Sequence, residues 1–290
     1  MPPLIPYHVS AGSNPITKFG GMLVTEFIEP PPGRSFCFRQ TYRWTLPPEL
    51  ANDAQATKLL ETLNHPSGPP THFHPYQNEW YRVEKGRMCV EIDGVLKTLT
   101  PEDGEVFGRA GTIHRFFIAP DSTEDMVAII SGSDPGLDFQ LDRVFFENWY
   151  GIWHDYLVYE SGKMDLIQLL CTYDAGDAYL PGPSWLPRGL QIWTGYWGGV
   201  IIGRWLGGIL GYKPFFKEYT TDWDLAVAKM KTSFWGRRLV DETHKVALTW
   251  SELDQKLTKW EHGGGTAHML SKKLTNGTSL SSSMKGDKSI

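Results

Sequence analysis

The chain has 290 residues, of which 41% are hydrophobic and 13% aromatic, and this content excludes a chain that is disordered throughout. Its net charge of −5 provides no basic surface, so we expect no nucleic-acid partner. Three scattered cysteines (Cys37, Cys89 and Cys171) are too few for a disulfide framework or a cysteine-based zinc site. The first residues carry no secretory signal pattern, and we therefore expect an intracellular, cytoplasmic protein.

Composition and periodicity divide the chain into four regions. Residues 1–33 are rich in proline and glycine, which predicts an arm lying over the surface. Residues 34–134 have the alternation of β-strands, interrupted by a predicted helix over about 48–63. Residues 135–262 have mainly helical periodicity, and residues 263–290, with almost no apolar side chains, predict a disordered tail.

The β region consists of short alternating segments separated by turn residues. Residues 79–84 place three side chains on one face of a strand: Glu79, Tyr81 and Val83. Residues 87–92 repeat the alternation, and Asp93-Gly94 then provides a hairpin turn. A later strand places His114, Phe116 and Ile118 on one face. Short strands at this spacing predict a small barrel or sandwich.

Three histidines and a glutamate in this region have the spacing of a metal site. His72 and His74 are two residues apart and share one face of a strand. Glu79 opens the next strand, and His114 opens a later one. Two imidazoles and a carboxylate can bind a divalent metal and leave coordination positions open, and a third imidazole would give four ligands.

These residues resemble the two core motifs of the cupin superfamily. The run His72-x-His74-x4-Glu79-x6-Gly86 matches the first motif, and Gly111-x2-His114 resembles the second. The resemblance implies a mainly β fold with an α extension: a single cupin barrel (double-stranded β-helix, or jelly roll) over 34–134, followed by a helical C-terminal half. It also implies that His72, His74, Glu79 and His114 are the metal ligands.

The chain more specifically resembles the cupin-domain oxidoreductases of fungal secondary-metabolite clusters, which accompany polyketide synthases making salicylaldehyde-type aromatic products. The aromatic run Phe145–Tyr150 and the block Gly211–Phe216 prompt this comparison. The resemblance implies a small-molecule substrate, either an aromatic compound or a polyketide-derived intermediate. It also implies oxidation by oxygen at Fe(II) or Mn(II), with Zn and Ni remaining open. We expect no NAD(P), because no glycine-rich dinucleotide fingerprint follows a strand.

Within this barrel we predict Glu79 and His114 as catalytic residues. The inner face would also carry apolar side chains suited to an aromatic ligand, and Arg109 could contact an anionic or phenolic oxygen. The predicted substrate pocket therefore contains five residues: Tyr81, Met88, Val90, Arg109 and Phe116.

Two other functions remain compatible with the sequence. In one, the metal is a Lewis acid for an isomerase, dehydratase or cyclase, and a histidine or Glu79 moves the proton. In the other, the barrel is a non-catalytic ligand-binding module, and a stripe of glycines docks a partner or a membrane. Oxygen uptake would separate the redox enzyme from the first alternative.

The glycine stripe lies within residues 193–212. Gly195, Gly199, Gly203, Gly207 and Gly211 follow one another at four-residue intervals, so on a helix they share one face. Such a face allows another part of the structure to approach the helix closely. That part could belong to the same domain, to a second copy in a homo-oligomer or to a membrane. Arg204, near the centre of the segment, argues against a membrane-spanning helix.

Overall fold

A computed structural model describes residues 3–45, 68–160 and 164–242. Within these ranges nine strands form two antiparallel sheets: β1 Ile16–Lys18, β2 Leu23–Phe27, β3 Arg34–Tyr42, β4 Glu79–Lys85, β5 Met88–Ile92, β6 Val95–Leu99, β7 Glu105–Gly108, β8 His114–Ile118 and β9 Met126–Ser133. One sheet has the order β1-β2-β3-β9-β4-β7, and the other has the order β6-β5-β8. Apolar side chains from both sheets meet in one core, which gives the jelly-roll barrel that the sequence predicts.

The predicted strand faces are confirmed. In β4 the side chains of Glu79, Tyr81 and Val83 are buried, and the alternate residues are more exposed. In β8 the buried side chains are likewise the alternate ones, from His114 to Ile118. The side chains that the barrel turns inward therefore include both the apolar core and the polar candidates for the site.

The prediction of a surface arm over residues 1–33 is wrong for residues 16–27. Residues 16–18 form β1 and residues 23–27 form β2, with a short 3-10 turn at residues 19–21 between them, and β2 pairs along its whole length with β3. The side chains of Leu23, Thr25 and Phe27 are buried in alternation. The strands are short and flanked by glycine and proline, which is why composition alone concealed them.

A buried polar cluster attaches the N-terminal segment to the first helix. The carboxylate of Asp155 accepts hydrogen bonds from the backbone N–H of Tyr7 (2.6 Å) and from the Tyr219 hydroxyl (2.5 Å), and it lies 2.5 Å from Nδ1 of His8. The ammonium group of Lys18 contacts the other ring nitrogen of His8. Burial lowers the pKa of Lys18 to about 8. These contacts hold the N-terminal segment against the helical half.

The helical half follows the barrel, as the sequence predicts. Its elements are α1 Arg143–Val158, α2 Leu166–Asp174, α3 Arg188–Gly198, α4 Trp223–Lys231 and α5 Phe234–Glu242. Asp142 and Asp165 cap the first turns of α1 and α2 by accepting backbone hydrogen bonds. The predicted helix over 48–63, residues 243–262 and the predicted tail 263–290 lie outside the described residues.

The predicted glycine segment is helical and packs against its own domain. Helix α3 continues through a π-helical stretch, Gly199–Leu206, and a last α-helical turn, Gly207–Leu210; we call residues 188–210 the glycine helix. A Cβ atom at Gly195 would lie 2.2 Å from the carbonyl oxygen of Leu180, and one at Gly203 would lie 2.5 Å from the Leu170 backbone. Packing within the domain, one of the alternatives left open by the sequence, is therefore confirmed for the glycine face.

Arg204 is held by an internal partner. Its guanidinium group donates two hydrogen bonds, at 2.7 and 2.9 Å, to the buried carboxylate of Asp174 in α2. A charge in the middle of an otherwise apolar helix is thereby compensated inside the domain. In the part of the chain that the structure describes, no helix combines the length and the apolar character needed to cross a bilayer.

Two adjacent glycines provide a matched test of this packing. A Cβ at Gly199 would approach the buried ring of Tyr179 to 2.6 Å, whereas a Cβ at Gly198 meets nothing within 4 Å. We expect Gly199→Ala to lower the free energy of unfolding in urea by about 1–3 kcal/mol. Gly198→Ala should raise it by about 0.5–1 kcal/mol, because alanine has less backbone entropy to lose. Equal effects of the two substitutions would contradict the packing.

Candidate metal centre

Backbone pairing brings the three histidines together. The N–H of His72 donates to the carbonyl of His114 (2.9 Å), and the N–H of His114 donates back to the carbonyl of His72 (2.8 Å). Between the first two histidines, Phe73 forms the same reciprocal pair with Tyr179. The segment carrying His72 and His74 is therefore fixed on one side by β8 and on the other by the residues that follow α2.

Each imidazole is oriented by a hydrogen bond at Nδ1. The Nδ1 atom of His72 lies 2.9 Å from the carbonyl oxygen of Pro70, that of His74 lies 2.7 Å from the carbonyl of Gln77, and that of His114 lies 2.9 Å from the carbonyl of Thr112. A carbonyl only accepts, so each Nδ1 carries a proton, and in the neutral ring Nε2 then carries the lone pair. This is the arrangement in which a histidine binds a metal through Nε2.

The ring nitrogens converge on one point. One ligand atom from each of His72, His74 and His114 lies within 4.8 Å of the others, and all three side chains are buried. The Nε2 atoms of His74 and His114 are buried and make no hydrogen bond to any residue the structure describes. Buried polar atoms without partners are costly, and a shared metal ion would satisfy them. The chemistry of the donor set therefore fits a divalent metal ion.

Glu79 completes the group from β4. One carboxylate oxygen lies 3.2 Å from Nε2 of His114, and the other lies 3.6 Å from Nε2 of His74. The hydroxyl of Tyr81 donates a hydrogen bond to the same carboxylate. Tyr81, two residues along the strand, therefore orients Glu79 from the same inner face.

The electrostatics of the cluster favour the metal-binding forms of His72 and Glu79, whereas they favour a proton on His114. Burial, together with repulsion from the other two histidines, holds the pKa of His72 well below its usual value, so this imidazole is neutral. Burial opposes ionisation of Glu79, but His74 and His114 outweigh it and hold the pKa of the carboxyl well below its usual range. Burial also opposes a charge on His114, yet the adjacent Glu79 carboxylate outweighs it and raises the pKa of this imidazole, so a metal ion would compete with a proton at Nε2.

An aromatic cavity of about 30 Å³ adjoins the cluster. His72, Glu79 and Phe116 line it from the barrel, and the helical half supplies most of the remaining wall. These helical residues were not predicted as parts of the site; the only signal for them was the helical periodicity of residues 135–262 and the aromatic run at residues 145–150. They are Phe145, Phe146, Trp149, Tyr150, Trp153 and Tyr173.

A polar network lies within this aromatic wall. The amide nitrogen of Gln40 donates to the hydroxyl of Tyr150 and to Thr25, and the amide oxygen accepts from the hydroxyl of Tyr42 (2.9 Å). Burial raises the pKa of Tyr150, which keeps its hydroxyl protonated. Because its oxygen already accepts from Gln40, the Tyr150 hydroxyl can use its proton for donation, either to Thr25 or to an acceptor in the cavity.

The five predicted pocket residues do not all line the cavity. Phe116 lines the cavity, and Tyr81 binds Glu79 as described. Met88 and Val90 are buried in the core between the sheets and are not among the residues lining the cavity. Arg109 does not line the cavity: its side chain is exposed on the loop between β7 and β8. Residues 109–112 form a half-buried turn, closed by a hydrogen bond from the N–H of Thr112 to the carbonyl of Arg109, which a strand-based interpretation could not place.

The fold and the convergent imidazoles together define a cupin-type barrel with a histidine cluster that could hold a metal ion. The chain is 56% identical over 252 residues to the "Probable oxidoreductase patJ" of Aspergillus clavatus, covering 87% of this chain and 76% of that protein. It is also 56% identical over 250 residues to the "Epoxidase atD" of Aspergillus terreus, covering 86% of this chain and 77% of that protein. The chain therefore belongs to this family of cupin-type oxidoreductases of fungal secondary metabolism, and it is an enzyme.

Comparisons with family models and solved structures add little to this assignment. No family model matches the chain. A solved cupin-2 domain from Rhodospirillum rubrum aligns with 43% of this chain and 66% of its own, at 12% identity and a TM-score of 0.27. That score is low, so the fold assignment depends on the strand order and motif positions described above.

Removal of one imidazole tests the histidine cluster. We expect the parent protein, purified without chelator, to carry about one equivalent of metal, and we expect His74→Ala protein to lose it, because a donor atom is missing. The control is His154→Gln, in which a histidine on α1, whose Nδ1 accepts from the Phe19 N–H, is replaced outside the cluster. Elemental analysis by mass spectrometry measures both. Full metal occupancy in His74→Ala would contradict the assignment.

Proposed function

We propose that this protein is a metal-dependent oxidoreductase that uses oxygen to oxidise a small aromatic or polyketide-derived compound. Its metal would be one Fe(II) or Mn(II) ion, held by His72, His74, Glu79 and His114. The observation that carries the proposal is the convergence of three buried histidine rings, each with its Nδ1 atom hydrogen-bonded to a backbone carbonyl. The names of the relatives, an oxidoreductase and an epoxidase, support redox chemistry over a non-redox reaction.

The bound ion would supply the redox step with oxygen, and the protein supplies position and environment. The Glu79 carboxylate would offset part of the positive charge of the bound ion. The hydroxyl of Tyr81 fixes the orientation of that carboxylate. The residues we predicted as catalytic, Glu79 and His114, would thus act as ligands next to the substrate. No dinucleotide fingerprint is present in the sequence, so oxygen is the proposed oxidant in place of NAD(P).

The composition of the cavity wall suits a small aromatic substrate, but side chains of the wall would have to move to admit it, because a cavity of about 30 Å³ holds only water-sized molecules. Its side chains are mainly phenyl, indole and phenol rings, which stack well against another ring and exclude water. The Tyr150 hydroxyl, oriented by Gln40, would donate a hydrogen bond to an oxygen atom of the substrate. A phenolic compound or a quinol satisfies both features, because it combines one flat apolar ring with an exocyclic oxygen.

Oxygen consumption tests the proposed reaction. Protein loaded with Fe(II) or Mn(II) is mixed with a panel of small phenols and quinols in an oxygen electrode, and products are analysed by mass spectrometry. We expect oxygen uptake in step with substrate loss, and no uptake with His114→Ala protein, which lacks a ligand. Complete conversion of a substrate under anaerobic conditions, without added oxidant, would contradict the proposal and favour an isomerase, dehydratase or cyclase.

A conservative variant tests the substrate class within the same assay. Tyr150→Phe keeps the ring and should leave the metal content unchanged, since Tyr150 is not a proposed ligand. Loss of one hydrogen bond should raise KM for a phenolic substrate by up to about tenfold. The corresponding methyl ether cannot be bound as a phenolate and is a poorer hydrogen-bond acceptor. The KM for this ether should therefore change less on Tyr150→Phe substitution.

A further inference from the structure

The glycine helix presents an apolar surface opposite to its glycine face. Its large side chains on that side are between 39% and 59% exposed. We call this surface the apolar strip; it consists of Leu190, Trp193, Trp197, Ile201, Trp205, Leu206, Ile209 and Leu210. Trp185, which precedes the helix, is 79% exposed. Four exposed tryptophans within 21 residues are unusual for a surface that faces only water.

The glycines explain why the bulky residues face outward. The glycine side of the helix must approach α2 and the Tyr179 ring too closely for any side chain. The domain therefore accommodates the helix without burying the apolar strip. In the sequence the glycine stripe was the candidate for contact with a membrane or partner; in the structure the opposite face is the one available.

The charge around the apolar strip matches an anionic surface. No aspartate or glutamate occurs from residue 178 to residue 217, although the whole chain has a net charge of −5. The same stretch contains four basic residues. Arg188, at the start of the helix, pairs with Asp93, and Arg204 pairs with Asp174. Lys213 and Lys217 line a cavity together with Gly211 and Glu218, so both lysines lie at the C-terminal end of the strip.

We propose that the apolar strip docks this protein on the surface of an anionic lipid bilayer without spanning it. Tryptophan with leucine and isoleucine is the composition of helices that lie in the bilayer interface, and nearby lysines attract anionic headgroups. A second copy of the chain is a weaker candidate on this face. The helix is about 34 Å long and about 10 Å wide, which gives roughly 340 Å², whereas stable interfaces bury about 800 Å² per partner.

Vesicle sedimentation with the full chain tests this proposal. Sucrose-loaded vesicles of phosphatidylcholine, with or without phosphatidylserine, are pelleted with the protein. We expect binding that is stronger with phosphatidylserine and that falls at least about tenfold in the triple variant Trp193→Ser, Ile201→Ser, Trp205→Ser. The double variant Lys213→Ser, Lys217→Ser should lose at least about fivefold on phosphatidylserine vesicles only.

A matched control replaces three exposed apolar residues on other elements: Phe107→Ser, Leu137→Ser and Leu225→Ser. This variant should bind vesicles like the parent chain. Unchanged melting temperature and metal content would show that the strip variant is folded. The proposal is overturned if the parent chain does not sediment with vesicles or if the strip and control variants bind equally. It is also overturned if sedimentation velocity shows a dimer that only the strip variant dissociates.

Discussion

The candidate centre depends on one set of interactions, the three hydrogen bonds between histidine Nδ1 atoms and backbone carbonyls. The carbonyls belong to Pro70, Gln77 and Thr112, each two or three residues from its histidine, so local backbone conformation sets the orientation of each ring. In the neutral rings the proton on Nδ1 leaves every Nε2 free to coordinate. Pairing between the segment at His72 and β8 then brings these nitrogens to one point.

The helical half supports this centre from two directions. Helix α1 contributes the aromatic wall of the cavity. On the other side, Phe73 lies between two of the histidines, pairs with Tyr179, and packs under the glycine helix beside Gly195. The extension after the barrel is therefore part of the site.

The histidines, Glu79 and the strand faces could be predicted because each depends on local spacing: a period of two residues decides which side chains a strand turns inward. Strands β1 and β2 were missed because their pairing with β3 is a tertiary contact between short segments. Tyr150 and Trp149 could be assigned to an apolar helix face, but not to a cavity, because the docking of α1 on the barrel leaves no periodic signal. The direction of Arg109 could not be predicted, because the conformation of a turn decides it.

The most direct test of the metal centre is anomalous diffraction from crystals of the metal-loaded protein, measured on both sides of the absorption edge of the bound ion. A metal ion in this centre predicts a single strong anomalous peak within coordination distance of Nε2 of His72, His74 and His114. The Glu79 carboxylate should be a further ligand of that ion. Two results would contradict this metal centre: a fully loaded crystal without a peak between these atoms, or a peak within coordination distance of an Nδ1 atom instead.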